Sequence, residues 1–192
     1  MAGEPEIVLV RHGETEWSGA GRHTSFTDVA LTQHGREQAL ALAARLGARP
    51  FSLVLTSARE RAIETCELAG LGDRAEATDD LAEWNYGEYE GLTTAQIRER
   101  EPHWTIFSHG APGGETAQQV AARADRLLGR VVTAGGDVAL FSHGHFLRVL
   151  GARWIGLAAE DGRLLGLDVA TLSVLGHERA QRVLRMWNSS AQ

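Results

Sequence analysis

The stretch Ile7-Val8-Leu9-Val10-Arg11-His12-Gly13-Glu14-Thr15 constrains the chain most: an apolar, β-branched run that stops at a cation, an imidazole and a glycine. Such a run reads as a buried strand, and Gly13 lets the chain turn sharply as it leaves the sheet. His12 then stands at the C-terminal end of a strand, the edge where open α/β sheets bind ligands, and Arg11 beside it points to an anionic ligand. Two later runs end the same way. Val54-Leu55-Thr56-Ser57 leads into Arg59 and Arg61, and Val138-Ala139-Leu140-Phe141-Ser142 leads into His143. If these three strands are parallel, their basic groups converge.

The segments between them carry helical signals. Trp17 to Ala30 reads as a loop, and Thr32 caps a helix with Ala39, Leu42, Ala43 and Leu46 on one face and Gly47 as its stop. Ser57 with Glu60 predicts a capping box for a helix through Ala62, Ile63, Cys66 and Ala69, which puts Arg59 and Arg61 in its first turn. Leu81 to Gly91, acidic and aromatic with two glycines, suits a loop. A short helix from Thr94 to about Arg100 follows, then an irregular, lid-like insertion from Pro102 to Gly114. Thr116 with Gln119 opens a long helix carrying Val120, Ala124, Leu127 and Val131 and ending near Gly135-Gly136. Beyond His143, Leu147, Leu150, Trp154 and Leu157 mark another helix. Ala170 to Leu175 and Arg182 to Trp187 read as strands joined by a turn around Gly176, with Asn188 to Gln192 as a frayed tail.

Composition narrows the function classes. With 192 residues, 43% hydrophobic and 23% charged, the chain reads as one domain, residues 1–192. A net charge of -6 argues against a general nucleic-acid or anionic-membrane binder, so any phosphate affinity is local. The single Cys66 cannot form an internal disulfide, which fits a reducing cytoplasm and a core role. Met1 to Glu6 lacks the pattern of a signal peptide, and no run reaches the roughly 18 apolar residues of a membrane span.

Each chemical candidate has a plainer rival. A lone histidine is usually structural, but His12 has Arg before it, Gly after it and a strand leading in. Arg61 is lifted above the usual solvated arginine by its strand-end position, Arg59 less so. His143-Gly144-His145 lacks the third ligand of a metal site, so no metal or other cofactor is expected. Spacing alone does not prefer Glu83 over Glu88 or Glu90.

Arg11 to Thr15 resembles the RHGE[ST] signature of the histidine phosphatase superfamily. Ser57 to Thr65 (SARERAIET), Leu81 to Gly91 (LAEWNYGEYEG) and Phe141 to Arg148 (FSHGHFLR) are similar to its later motifs, in the same order. The resemblance implies a three-layer α/β/α sandwich with a mainly parallel central sheet, like phosphoglycerate mutase. It also implies His12 as nucleophile, Arg11, Arg61 and His143 around the phosphate, and Glu83 as proton donor. A helix start after His143, at Gly144, would add backbone N–H donors, and His143 would act as a protonated or donor group. Ser18 stands where many members have Asn. The stretch from Glu16 to Thr32 resembles a branch of actinobacterial acid phosphatases and sedoheptulose-bisphosphatase-like enzymes, which puts substrate choice partly in His23, Thr24 and Ser25.

The expected activity is hydrolysis of small phosphate esters through a phosphohistidine, without metal. The partner is the small-molecule ester, with neither nucleic acid nor membrane; a homodimer is left open. Two alternatives stand beside this. Phosphoglycerate mutases of the superfamily carry a long basic insertion after the acidic loop, whereas Gly91 to Glu115 is short and offers only Arg98 and Arg100 besides histidines. A noncatalytic phospho-ligand-binding module would bind phosphate without turnover.

Overall fold

The structure is a computed structural model that describes residues 4–190. Its strands are β1 (Ile7–Arg11), β2 (Leu53–Thr56), β3 (Ala75–Ala77), β4 (Val138–Ser142), β5 (Thr171–Glu178) and β6 (Gln181–Ser190), in one sheet of order β3-β2-β4-β1-β5-β6. β1, β2, β3 and β4 are parallel, and β5 and β6 run antiparallel at one side. The register sets Arg11 opposite Ser142 and Thr56 opposite Phe141, so β1, β4 and β2 end level. The residues that follow them emerge at one edge, as the three similar strand ends predict.

Among the described residues seven α-helices accompany the sheet: α1 (Glu16–Gly19), α2 (Gln33–Leu46), α3 (Glu60–Leu68), α4 (Thr94–Arg98), α5 (Ile106–His109), α6 (Ala117–Val131) and α7 (Gly144–Trp154). Side chains alternate across a strand, and the core divides accordingly. Leu9 and Leu140 face Val120 and Leu127 of α6 and Leu147 and Leu150 of α7. Val8, Val10, Ala139 and Phe141 face Leu42 and Leu46 of α2 and Cys66 of α3. The central strands are therefore buried on both faces, which is why they read as unbroken apolar runs. This is the three-layer α/β/α arrangement. Among the described residues no helix is long and apolar enough to cross a membrane.

Thr32 and Thr116 cap α2 and α6 as expected, the latter in a full capping box with Gln119. Several boundaries differ from the sequence reading. Ser57 and Glu60 form no capping box: α3 starts at Glu60 behind an N-cap Arg59 without a side-chain cap, and the Ser57 hydroxyl turns toward His143. α4 ends at Arg98, α6 at Val131 and α7 at Trp154, which leaves Arg100, Gly135-Gly136 and Leu157 outside them. The final hairpin turns at Arg179 rather than at Gly176, which stays inside β5. A Cβ at Gly176 would lie 2.8 Å from Arg185 Cγ on β6, so the glycine serves close strand packing. Asn188 to Ser190 continue β6, where Ser189 and Ser190 pair with Leu172 and Thr171 of β5, and Ala191 and Gln192 lie outside the described residues. The Pro102 to Gly114 insertion contains α5 and buries Trp104 and Phe107, so it belongs to the packed structure.

Candidate active site

The turn after β1 is held on three sides. His12 N–H donates to Ser142 O (3.0 Å), His12 O accepts from Ala170 N (3.0 Å), and Gly13 N–H donates to Thr65 Oγ1 (3.0 Å). A Cβ at Gly13 would lie 2.4 Å from Gly35 O, so only glycine lets this turn pass α2. His12 Nδ1 lies 2.7 Å from Gly13 O. A carbonyl can only accept, so Nδ1 carries the hydrogen and Nε2 the free electron pair. Burial, Arg61 and Arg11 together hold the His12 pKa well below the ordinary imidazole value, which keeps the ring neutral.

Arg61 enters from α3, fully buried. It donates to Thr27 O (3.0 Å) and to Ser25 O (2.9 Å) and Thr24 O (3.3 Å), and its Nε donates to His143 Nδ1 at 3.2 Å. Guanidinium nitrogens only donate, so His143 Nδ1 is bare and its Nε2–H donates to Ser57 Oγ at 2.8 Å. Burial, then Arg61, His12, Arg11 and Arg59, push His143 well below its ordinary pKa. The sequence expectation of a protonated or donor His143 thus meets a neutral ring with both nitrogens engaged. The two imidazoles stand 5.2 Å apart between ring centroids.

A cavity of about 160 Å³ opens at this edge, walled by Arg11, His12, Ser18, His23, Thr24, Glu83 and Gly144 among the expected residues. Arg61 and His143 lie behind that wall. Ser25 does not reach it either: its hydroxyl and backbone N–H donate to the Glu90 carboxylate, and its carbonyl holds Arg61. Ser25 therefore anchors the loop in place of a substrate contact. Ser18 lines the cavity, yet its hydroxyl closes the α1 capping box with Thr15. His23 is buried, its Nε2 lies 3.3 Å from Thr94 Oγ1, and burial pushes its pKa down to about 4.

The Arg11 guanidinium lies against Gly144, where a Cβ would stand 3.1 Å from its Cζ. Its Nη1 donates to Leu167 O, while Nε is buried with no protein acceptor among the described residues. Glu83 is 7% exposed, and its carboxylate accepts from Trp84 N (2.9 Å), Phe146 N (2.8 Å) and His145 N (3.1 Å). Two first-turn N–H groups of α7, expected to meet the ligand, are thus taken by Glu83; the Gly144 N–H is not among them. Arg123 of α6 fixes the Glu83 loop by donating to Ala82 O (2.6 Å), Asp80 O (3.1 Å) and Glu83 O (3.3 Å) while pairing with Glu115 (2.9 Å).

The structure separates the three glutamates that spacing could not: Glu83 lines the cavity, Glu90 ties the Ser25–Thr27 loop, and Glu88 is exposed. It also adds Arg22, Tyr86, His145 and Arg148 to the wall. Tyr86 and His145 lie inside recognisable stretches, but nothing in their spacing shows that they touch. No group of His, Cys, Asp or Glu that could hold a metal ion is found among the described residues. A larger recess, about 560 Å³, lies at the opposite edge around Glu6 and Asp137, where Arg49 pairs with both carboxylates.

The profile of the histidine phosphatase superfamily (branch 1) matches residues 7–190. An acid phosphatase of Mycobacterium tuberculosis is 43% identical over 182 residues, 93% of this chain and 89% of that one. Sedoheptulose 1,7-bisphosphatase of Saccharomyces cerevisiae is 35% identical over 192 residues, 81% of this chain and 69% of that one. The solved structure of an open reading frame from Mycobacterium tuberculosis superposes with a TM-score of 0.93 at 41% identity, covering 98% of this chain and 99% of that one. Likeness that runs from the first strand to the last places the chain in branch 1 of the histidine phosphatase superfamily, as a phosphatase of that family.

Proposed function

We propose that the protein hydrolyses small phosphate monoesters through a phosphohistidine on His12. The hydrogen bond from His12 Nδ1 to Gly13 O carries this reading, because it leaves the Nε2 electron pair on the cavity side of a ring that neighbouring cations keep neutral. In the first step Nε2 bonds to phosphorus as the ester P–O bond breaks, and Glu83 gives its proton to the departing oxygen. In the second, water attacks phosphorus, the P–N bond breaks, and Glu83 takes the proton of the attacking water. Phosphoryl transfer depends mainly on alignment and on stabilising spread charge. Arg11 Nε–H and the Gly144 N–H are the donors at the wall, and Arg61 supplies positive potential from behind it while holding His143 and the loop.

Hydrolysis is favoured over return of the phosphoryl group to a second substrate. Arg98 and Arg100 are exposed and neither lines the cavity, so the short segment after the acidic loop brings no anchoring cation to the reacting centre. A cytoplasmic setting fits the lone Cys66, buried in the core with its thiol pushed up to about 12 by burial. The test is rapid-quench mass spectrometry during turnover of a phosphate ester. It should find an acid-labile phosphate on His12, with inorganic phosphate as product and no turnover in His12→Ala. Label on another residue, or primer-dependent interconversion of phosphoglycerates faster than phosphate release, would overturn the reading.

A further inference from the structure

The wall of the catalytic cavity carries more positive charge than one phosphoryl group engages. Arg11, Arg22 and Arg148 line it against a single carboxylate, that of Glu83, which already accepts three backbone N–H groups. Arg11, with Arg61 behind the wall, serves the reacting phosphoryl group, so Arg22 and Arg148 are left over. Neither forms an ion pair with a carboxylate among the described residues, although other arginines of this acidic chain do, Arg49, Arg123 and Arg153 among them. Carbonyl oxygens hold the two instead. Arg148, half-buried on α7, donates through Nε to Gly162 O (3.0 Å) and through Nη2 to Arg163 O (3.1 Å), and its Cζ lies 4.6 Å from the centroid of the Phe107 ring. Arg22, exposed, donates through Nη1 to Gly91 O at 3.2 Å. Arg148 also lines a recess of about 240 Å³ that shares His23 and His145 with the cavity and has no carboxylate on its wall.

We propose that the alcohol part of the preferred ester carries a second anionic group, a phosphate or a carboxylate, which Arg148 and Arg22 hold while Arg11 and His12 engage the reacting phosphoryl group. The substrate class is then a doubly anionic ester, such as a bisphosphorylated or carboxylated polyol, in preference to the ester of a neutral alcohol. Carbonyl dipoles orient a guanidinium without neutralising it, so the charge of each arginine remains available to an incoming anion. Bonds between such a cation and a phosphate or carboxylate oxygen are about twice as strong as neutral ones. The recess beside Arg148 gives the alcohol part room, and Trp104, Ile106 and Phe107 on its wall add apolar surface that strengthens the pairing. Both arginines act here as specificity-determining contacts. They come from the loop after α1 and from α7, so the second anion is anchored without a cation from the short segment after the acidic loop.

The proposal rests on the hydrolytic reading, and the experiment is chosen to separate the two. Phosphonates cannot be hydrolysed at the P–C bond by this chemistry, so titration calorimetry of the full chain with them reads the second-anion contact without turnover. Butane-1,4-diylbisphosphonate and 4-phosphonobutanoate are compared with butylphosphonate, which lacks the second anionic group. At low salt the first two should bind roughly tenfold or more tighter, the better of them naming the second group, and the preference should shrink as salt is added. Arg148→Gln should remove most of the preference, and Arg22→Gln should lower it by roughly two- to fivefold, as suits an exposed cation. Arg100→Gln, the same loss of charge at an exposed position off the cavity, should keep it. If Arg148→Gln does not fold, Arg22→Glu carries the test: it reverses a charge at an exposed site and should bring the three affinities together. A chain that forms no phosphohistidine on His12 would lose the hydrolytic reading and keep these affinities. Equal binding of the three ligands by the wild-type chain, or a preference untouched in the folded Arg148 and Arg22 variants, would overturn the proposal.

Discussion

Replacing Gly144 by alanine should damage catalysis while sparing stability. The added Cβ would stand 3.1 Å from Arg11 Cζ, 3.3 Å from Nε and 3.4 Å from Nη2, closer than ordinary contact across the whole guanidinium. Arg11 cannot simply swing away, because Nη1 is bonded to Leu167 O on its far side. The group therefore shifts by about a few tenths of an ångström, carrying with it the buried Nε–H that has no protein acceptor. A misplacement of about 1 Å in a reacting assembly costs on the order of 100-fold, so a shift of this size should lower kcat by roughly three- to tenfold. On the stability side, alanine in a helix is favoured over glycine by up to ~1 kcal/mol, which offsets much of a local overpacking cost of about 1 kcal/mol. Steady-state kinetics on one phosphate ester, paired with urea unfolding, checks both halves. An unchanged kcat, or a stability loss above about 3 kcal/mol, would show that the Arg11–Gly144 contact does not do what its geometry implies.

Glu83→Gln should slow alkyl phosphates by roughly 100- to 10,000-fold and aryl phosphates far less, because a phenolate leaves without a proton; equal losses on both, or a selective loss in Glu88→Gln, would move the acid elsewhere. His23 contributes to acid sensitivity, since burial takes its pKa from 6.5 to about 4. The unfolded chain protonates first, so this contribution is intact above pH 6.5 and is lost progressively as pH falls to about 4. The loss should reach about 3 kcal/mol. His23→Gln should flatten the pH dependence of unfolding free energy by about one proton in that window, and parallel curves for the two proteins would refute it.

The legible parts of the fold were those written in residue type. β1, β2 and β4 are buried on both faces, so each appears as an apolar run, and the basic residues at their ends marked the ligand edge. β3 escaped notice because Ala75-Glu76-Ala77 is a short edge strand with no apolar signature. Gly47 does cap α2, but the end of α6 was misjudged because Gly135-Gly136 looked like its stop; α6 gives way to turns before Gly135 is reached. In the site, motif and order pointed to His12 and Glu83, and both line the cavity. They did not point to the partnership of Tyr86 with His145, because the two residues are 59 positions apart and meet only when the acidic loop folds over α7. The bond of Ser25 to Glu90 was hidden for a related reason. A small polar residue in a binding loop looks the same in sequence whether its hydroxyl faces substrate or a carboxylate such as Glu90.

What the sequence could least reveal is how the cations are held. Arg11 and Arg61 bond to carbonyl oxygens, those of Leu167, Thr27, Ser25 and Thr24, instead of to carboxylates. A carboxylate in direct contact would cancel much of the field at the pocket, whereas a carbonyl dipole orients the guanidinium and leaves its charge offset only by more distant carboxylates such as Glu83. That surviving charge, added to burial, keeps both His12 and His143 neutral. On the proposed mechanism, the same arrangement that would draw in a phosphate dianion also keeps the His12 ring neutral below the ordinary imidazole range. Once the dianion arrives, it offsets the two cations, and proton affinity at the imidazoles rises.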